Sequence, residues 1–290
     1  MGRPIVVGVD GSESSLQAVD WAVDEAELHA VPLHVVYASL WQRYERAVFP
    51  TSPGRTEQIL TDVLVVTAAK RAGRRCPGMT ITTEVVPAGP VPVLLHAAHK
   101  ASALVLGSRG RGSTAELLLG SVSLAVAGRA DGPVIVVRGV QDDPVAARLH
   151  GRRVVLGVPE EPDGSAAVRF AFREADRRGV PLEAVRAWHP HAYETTDHAL
   201  VPGEPAEVHR RRAVEAWETA LRAPAAEFPD VEVRQRIVEG RARTALLDAS
   251  AHAALLVIGA QRPGGRLGPH TGRVTHAVLH HAACPVGVVP

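Results

Sequence analysis

The chain is written twice. Near its start, IVVGVD (5–10) is answered later by RVVLGVP (153–159). VPLHVVYA (31–38) is answered by VPLEAVRA (180–187), SALVLGSRG (102–110) by AALLVIGAQR (253–262), and GPVIVVR (132–138) by CPVGVVP (284–290). The four pairs keep their order at an offset of about 150 residues, which chance does not produce four times. This fixes the domain count at two copies of one unit, residues 1–140 and 151–290. The polar, proline-containing GVQDDPVAARLHG (139–151) joins them.

Within each copy, short β-rich runs alternate with longer helical patterns. IVVGV (5–9) is nearly continuously apolar, as a strand buried on both faces should be. Ser12 is placed to cap a helix whose Leu16, Val19, Ala22, Val23 and Ala26 form one apolar face. LHVVYA reads as the second strand, and residues 56–73 as the second helix, ended by Gly73. TITTEVV is the third strand, VPVLLHAAHKA the third helix and ALVLG the fourth strand. A helix from about 121 to 130 and the strand PVIVV close the copy. Strict alternation of this kind predicts an α/β fold, an open parallel sheet with helices on both faces.

The bulk numbers narrow the function classes. A net charge of +1 with no Lys/Arg block argues against a nucleic-acid partner. The amino terminus turns polar too early for a signal peptide, and no apolar run reaches membrane-spanning length. Two distant cysteines without a CxxC fit a reducing compartment. The expectation is a soluble cytoplasmic chain without a membrane partner. Cys76, in RRCPG, has basic neighbours that could lower its thiol pKa. His276 and His280 are one turn apart and His96 and His99 three residues apart, but no carboxylate or Cys completes a ligand set for either pair. No metal site is expected.

The glycine-rich stretch GSRGRGST after the fourth strand is the strongest chemical signal. In an open α/β sheet, ligands bind beyond the carboxyl ends of the strands. Glycines there let a ligand approach the main chain closely, and exposed N–H groups can cradle an anion. Arg109, Arg111, Ser113 and Thr114 can flank such an anion or serve the loop itself. The spacing is not a Walker loop, because no Lys follows Gly112. It is not a dinucleotide fingerprint either, because the first strand runs into Asp10-Gly11-Ser12. A GxSxG nucleophile elbow is also absent. The residues alone therefore say phosphate and nothing sharper.

The pattern Gly107-x2-Gly110-x9-Gly120-Ser121, with the VGVDGS opening and the LHVV second strand, resembles the nucleotide signature of universal stress proteins. The resemblance covers both halves and implies two tandem Rossmann-like, adenine nucleotide alpha hydrolase-like domains, each with five strands in the order 3-2-1-4-5. It implies ATP as the ligand, and Mg2+ can accompany the triphosphate although no dedicated protein ligand for it is evident. Carried over position by position, Val9 and Asp10 would lie beside the adenine and ribose, and Val35 would meet the adenine through its backbone. Gly107 and Gly110 would lie along the phosphates, with Gly120, Ser121 and Val122 closing over them, and Leu106 and Arg109 are counted with the binding residues. Family domains pair through their fifth strands, so PVIVV and PVGVV could pair within the chain, and a homodimer is a further expectation.

The second copy departs where it matters. Gly259 and Gly272 keep the thirteen-residue separation of Gly107 and Gly120, but Arg262 replaces Gly110, Arg273 replaces Ser121 and Pro159 replaces Asp10. The resemblance thus implies a stress-response regulator holding ATP mainly in its first domain and acting on an unknown protein partner. Two rivals are a slow ATPase, for which no general base is evident, and a nucleotide-independent interaction module.

Overall fold

The computed structural model describes residues 2–39, 54–110, 119–138, 153–159, 165–189, 193–196, 199–202, 205–260 and 272–290. The linker 139–151, Arg111, Ser113, Thr114, Arg262 and Arg266 lie outside the described residues. The chain divides into two compact units. One comprises residues 1–139, 260–280 and 285–290, the other residues 140–259 and 281–284.

The first unit begins with β1 (Ile5–Val9), α1 (Glu13–Leu28) and β2 (Leu33–Ala38). It continues through α2 (Gly54–Arg75), β3 (Ile81–Val86), α3 (Pro90–Lys100), β4 (Ala103–Gly107), α4 (Ser121–Ala127) and β5 (Val134–Val137). β1 lies between β2 and β4, with β3 beyond β2 and β5 beyond β4, all parallel. Every residue of β4 and β5 is buried, which is why both read as unbroken apolar runs. α1 packs on α2, and α3 on α4.

Ser12 caps α1, its hydroxyl accepting the Ser15 N–H at 3.2 Å. Val19, Ala22, Val23 and Ala26 are buried as the spacing predicts, while Leu16 is only half-buried. α2 does not stop at Gly73 but runs on to Arg75. Interior glycine costs a helix about 1 kcal/mol, and here the last turn is anchored from outside. Arg71 clasps both oxygens of Asp20 at 2.7 and 2.6 Å, and Arg75 clasps Asp24 one turn on. The expectation for Cys76 is reversed as well: its thiol is pushed up, first by burial and then by the Glu27 and Asp24 carboxylates of α1.

The second unit contains β6 (Val154–Gly157), α5 (Ser165–Arg178), β7 (Leu182–Trp188), the antiparallel hairpin β8 (Tyr193–Thr196) and β9 (Ala199–Pro202), and α6 (Ala206–Glu227). β10 (Val233–Glu239), α7 (Ala242–Ser250) and β11 (Leu255–Gly259) complete it. β6 sits between β7 and β11, with β10 beyond β7, again all parallel. Phe172, fully buried, stacks on Phe228 with centroids 6.0 Å apart.

α8 (Arg273–His281) and β12 (Val286–Val289) come from the second sequence copy, yet β12 and the residues of α8 through His280 belong to the first unit. There β12 runs antiparallel to β5, with Val286 opposite Val136 and Val288 opposite Val134. Among the described residues no helix is long and apolar enough to cross a membrane.

Candidate functional site

The first unit's site is built where β1 and β4 end. β1 leads through Val9 and Asp10 into Gly11, whose φ of +79° makes the turn that only glycine adopts freely. Asp10 bends back on this turn. Its Oδ1 accepts the Ser12 N–H at 3.0 Å and the Ser12 hydroxyl at 2.6 Å, so one carboxylate oxygen organises the start of α1.

β4 leads through Gly107 into Ser108, Arg109 and Gly110, and this strip of main chain is fastened to α1. The Arg109 N–H donates to Ser14 Oγ at 3.1 Å, and the Arg109 carbonyl lies 3.4 Å from the Ser12 hydroxyl. The far end of the loop is tied back to the same strip. Gly120 N–H donates to the Ser108 carbonyl at 2.8 Å, and the Ser123 hydroxyl to the Gly107 carbonyl at 2.7 Å.

The three glycines of the motif are glycines for three different reasons. A Cβ on Gly107 would stand 2.5 Å from Ser14 Oγ and 2.6–2.7 Å from the Ser14 backbone, so α1 packs directly on this position. A Cβ on Gly110 would stand 2.8 Å from Asp10 Oδ2. A Cβ on Gly120 would meet nothing nearer than 3.6 Å, an ordinary contact; its place is the N-cap of α4.

The other expected residues divide. Val9 is buried at the end of β1, level with Tyr37 on β2. Val35 lies on β2 in register with Val7 and Thr83, its side chain fully buried. Leu106 points away from the Gly107 face, and its methyl lies with Leu94 over Gly8. Ser121 is exposed and Val122 half-buried at the first turn of α4. Val9, Asp10, Gly107, Arg109, Gly110, Gly120, Ser121 and Val122 lie around one sheet end, and the side chains of Val35 and Leu106 pack in the core behind it.

Sequence reasoning missed Ser14, Ser123 and Arg138. The serine run after Asp10 offered a signal for the first, but only the fold brings Ser14 to Arg109. Arg138 follows β5, beside the loop, because the Ser108 N–H donates to the Val137 carbonyl at 3.0 Å. Its guanidinium is held below the usual arginine range, by burial first and then by the like charge of Arg109. Two arginines close enough to repel each other at the carboxyl ends of β4 and β5 favour an anion there.

The equivalent place in the second unit is furnished differently. Pro159 follows β6 where Asp10 follows β1. Arg186, at the position corresponding to Tyr37, reaches the Val158 carbonyl at 3.4 Å. The Ala184 carbonyl, corresponding to that of Val35, accepts the Trp217 indole N–H at 3.0 Å. Among the described residues a Cβ on Gly259 would meet only Ala167, at 3.9 Å, in contrast to the close approach at Gly107.

A parallel α/β unit written twice in one chain, the first copy with a glycine-bearing strip fastened at the carboxyl ends of two central strands, defines the class. The model of the universal stress protein family matches residues 1–138 and again residues 151–290. Universal stress protein Rv2005c of Mycobacterium tuberculosis is 34% identical over 288 residues, covering 97% of this chain and 95% of its own. Universal stress protein Rv1996 of the same species is 32% identical, covering 97% and 93%. The crystal structure of a universal stress protein from Archaeoglobus fulgidus superposes with a TM-score of 0.69 at 19% identity, covering 99% and 98% of the two chains. This chain belongs to the universal stress protein family and carries the family's domain twice.

Proposed function

We propose that this protein is an ATP-binding regulator of the stress response that holds the nucleotide in its first domain, residues 1–140. Val9 and Asp10 face the adenine and ribose, Gly107, Arg109 and Gly110 run along the phosphates, and Gly120, Ser121 and Val122 close over them. The observation that carries the reading is the fastening of the Arg109 main chain to Ser12 and Ser14. It holds backbone at a sheet end without a side chain in the way, and a Cβ at Gly110 would fill the space beside Asp10, 2.8 Å from its carboxylate. Such preorganised main chain suits a polyphosphate, since each hydrogen bond to a charged oxygen adds about 1.5–3 kcal/mol. Arg109 and Arg138 supply the positive field, and Mg2+, when bound with the triphosphate, would neutralise charge between its oxygens.

The second domain, residues 151–290, is read as a nucleotide-independent part of the regulator. Trp217 occupies the Ala184 carbonyl and Arg186 crosses to the Val158 carbonyl. ATP is treated as a signal rather than a fuel, because Asp10 is engaged at the start of α1. Cytoplasmic residence and assembly into a homodimer belong to the same proposal.

The test is direct. Nucleotide extracted from the purified protein is identified by mass, and melting is followed with ATP added. A ligand at a hundredfold excess over Kd stabilises the folded state by about 2.7 kcal/mol. The reading expects adenine nucleotide in the extract and a raised Tm; no nucleotide and no shift at millimolar ATP would refute it.

A further inference from the structure

The start of α8 carries Arg273 where the first copy has Ser121, so this helix has lost the residue that would serve a site of its own. Its other end lies against the first domain's loop, within one compact unit. The Leu279 carbonyl accepts Nη1 of Arg138 at 2.7 Å, and His280 Nδ1 accepts the main-chain N–H of Leu119 at 3.5 Å. The His280 ring is stacked on His276 one turn earlier, with centroids 4.3 Å apart and planes 30° apart, which fixes its orientation. Leu119 is itself buried, and the next N–H, that of Gly120, goes to Ser108. Consecutive amides of the segment that enters α4 are thus held from two directions, by the end of β4 and by the end of α8.

Building on the proposed nucleotide reading, we infer that His280 is a positioning residue for the first domain's ATP site. It does not touch the nucleotide. It fixes where Leu119, and through it Gly120 and the first turn of α4, stand beside the phosphates. A bond of this length contributes little to folding, but a site needs its supporting shell held to fractions of an ångström. The effect of losing it therefore falls on the ligand more than on the fold. The second sequence copy, poor in nucleotide features of its own, then sets the affinity of the first copy's site.

The experiment titrates ATP calorimetrically into the full chain and its His280→Ala, His280→Asn and His280→Gln variants, and records each melting curve without ATP. Asn places an acceptor oxygen where Nδ1 stands, whereas Gln displaces it by one bond. His280→Ala and His280→Gln should weaken ATP roughly three- to tenfold, as loosening of the Leu119–Gly120 segment that supports the site would. His280→Asn should restore most of the affinity, and all four proteins should melt alike without ATP. Should one weakened variant fail to fold, the other carries the comparison. Unchanged affinity in the folded variants, or no rescue by Asn, would overturn the role of His280 while leaving the ATP site standing. So would a loss of ATP-free stability that matches the loss of affinity. Failure of the unsubstituted protein to bind ATP would remove the site itself and this inference with it.

Discussion

The hydroxyl of Ser14 accepts the main-chain N–H of Arg109 at 3.1 Å, across 95 residues of chain. This bond fixes the glycine strip after β4 to the first turn of α1, so the geometry of the site depends on a helix that only borders it. Ser14→Ala should cost about 0.5–1.5 kcal/mol of stability and weaken ATP binding by a larger factor than Ser12→Ala. The latter removes a helix cap at a cost of about 0.5–2 kcal/mol and the longer contact to the Arg109 carbonyl, while leaving the shorter Ser14 bond in place. Urea unfolding and ATP titration of both variants check this; equal losses of affinity would contradict it.

Gly107 and Gly120 should respond in opposite ways to a methyl group. Gly107→Ala drives a Cβ to 2.6–2.7 Å from the Ser14 backbone, which cannot swing aside as a flexible side chain can. A cost of about 1–3 kcal/mol is expected from overpacking. Gly120→Ala meets only ordinary contacts and should fold nearly as well as the unsubstituted chain. The comparison is read from two denaturation midpoints.

The ion pair of Arg71 with Asp20 joins α1 to α2 with both partners part-exposed. Pairs of this kind contribute about 0.2–1 kcal/mol, so a double-mutant cycle of Arg71→Ala and Asp20→Ala should give a coupling in that range that shrinks in molar salt. A coupling unaffected by salt would argue that packing of the arginine stem carries the effect.

The two thiols should differ sharply. Burial pushes Cys284 up to about 12, whereas Cys76 is half-exposed. A folded pKa raised above the unfolded value of about 8.5 means that this contribution to stability is intact below that pH and is lost as pH rises toward 12. At neutral pH a maleimide or disulfide probe should label Cys76 first, and Cys284 only with global unfolding. Labelling of Cys284 at the rate of Cys76 in the native protein would contradict this burial.

The repeat, the alternation of strands and helices and the cap at Ser12 were legible because each is local or periodic. The extent of α2 was not, since the residues that carry it past Gly73 are Asp20 and Asp24 on another helix. Gly107 stood out as a glycine, but its physical reason, contact with Ser14, exists only once α1 is laid across β4. Val35 was expected to meet a ligand through its backbone, and its register with Val7 and Thr83 could be read only from the folded sheet. The tie between Leu119 and His280 joins two sequence copies, a relation that no pattern within either copy could announce.

The central claim, that the first domain's glycine strip holds ATP and the second domain's counterpart does not, is tested most directly by calorimetric stoichiometry on the full chain and on Gly110→Arg, which installs the second domain's own residue beside Asp10. The account predicts one ATP per chain for the former, and none for the latter with its ATP-free melting temperature unchanged. Two ATP per chain, or undiminished binding by Gly110→Arg, would contradict it.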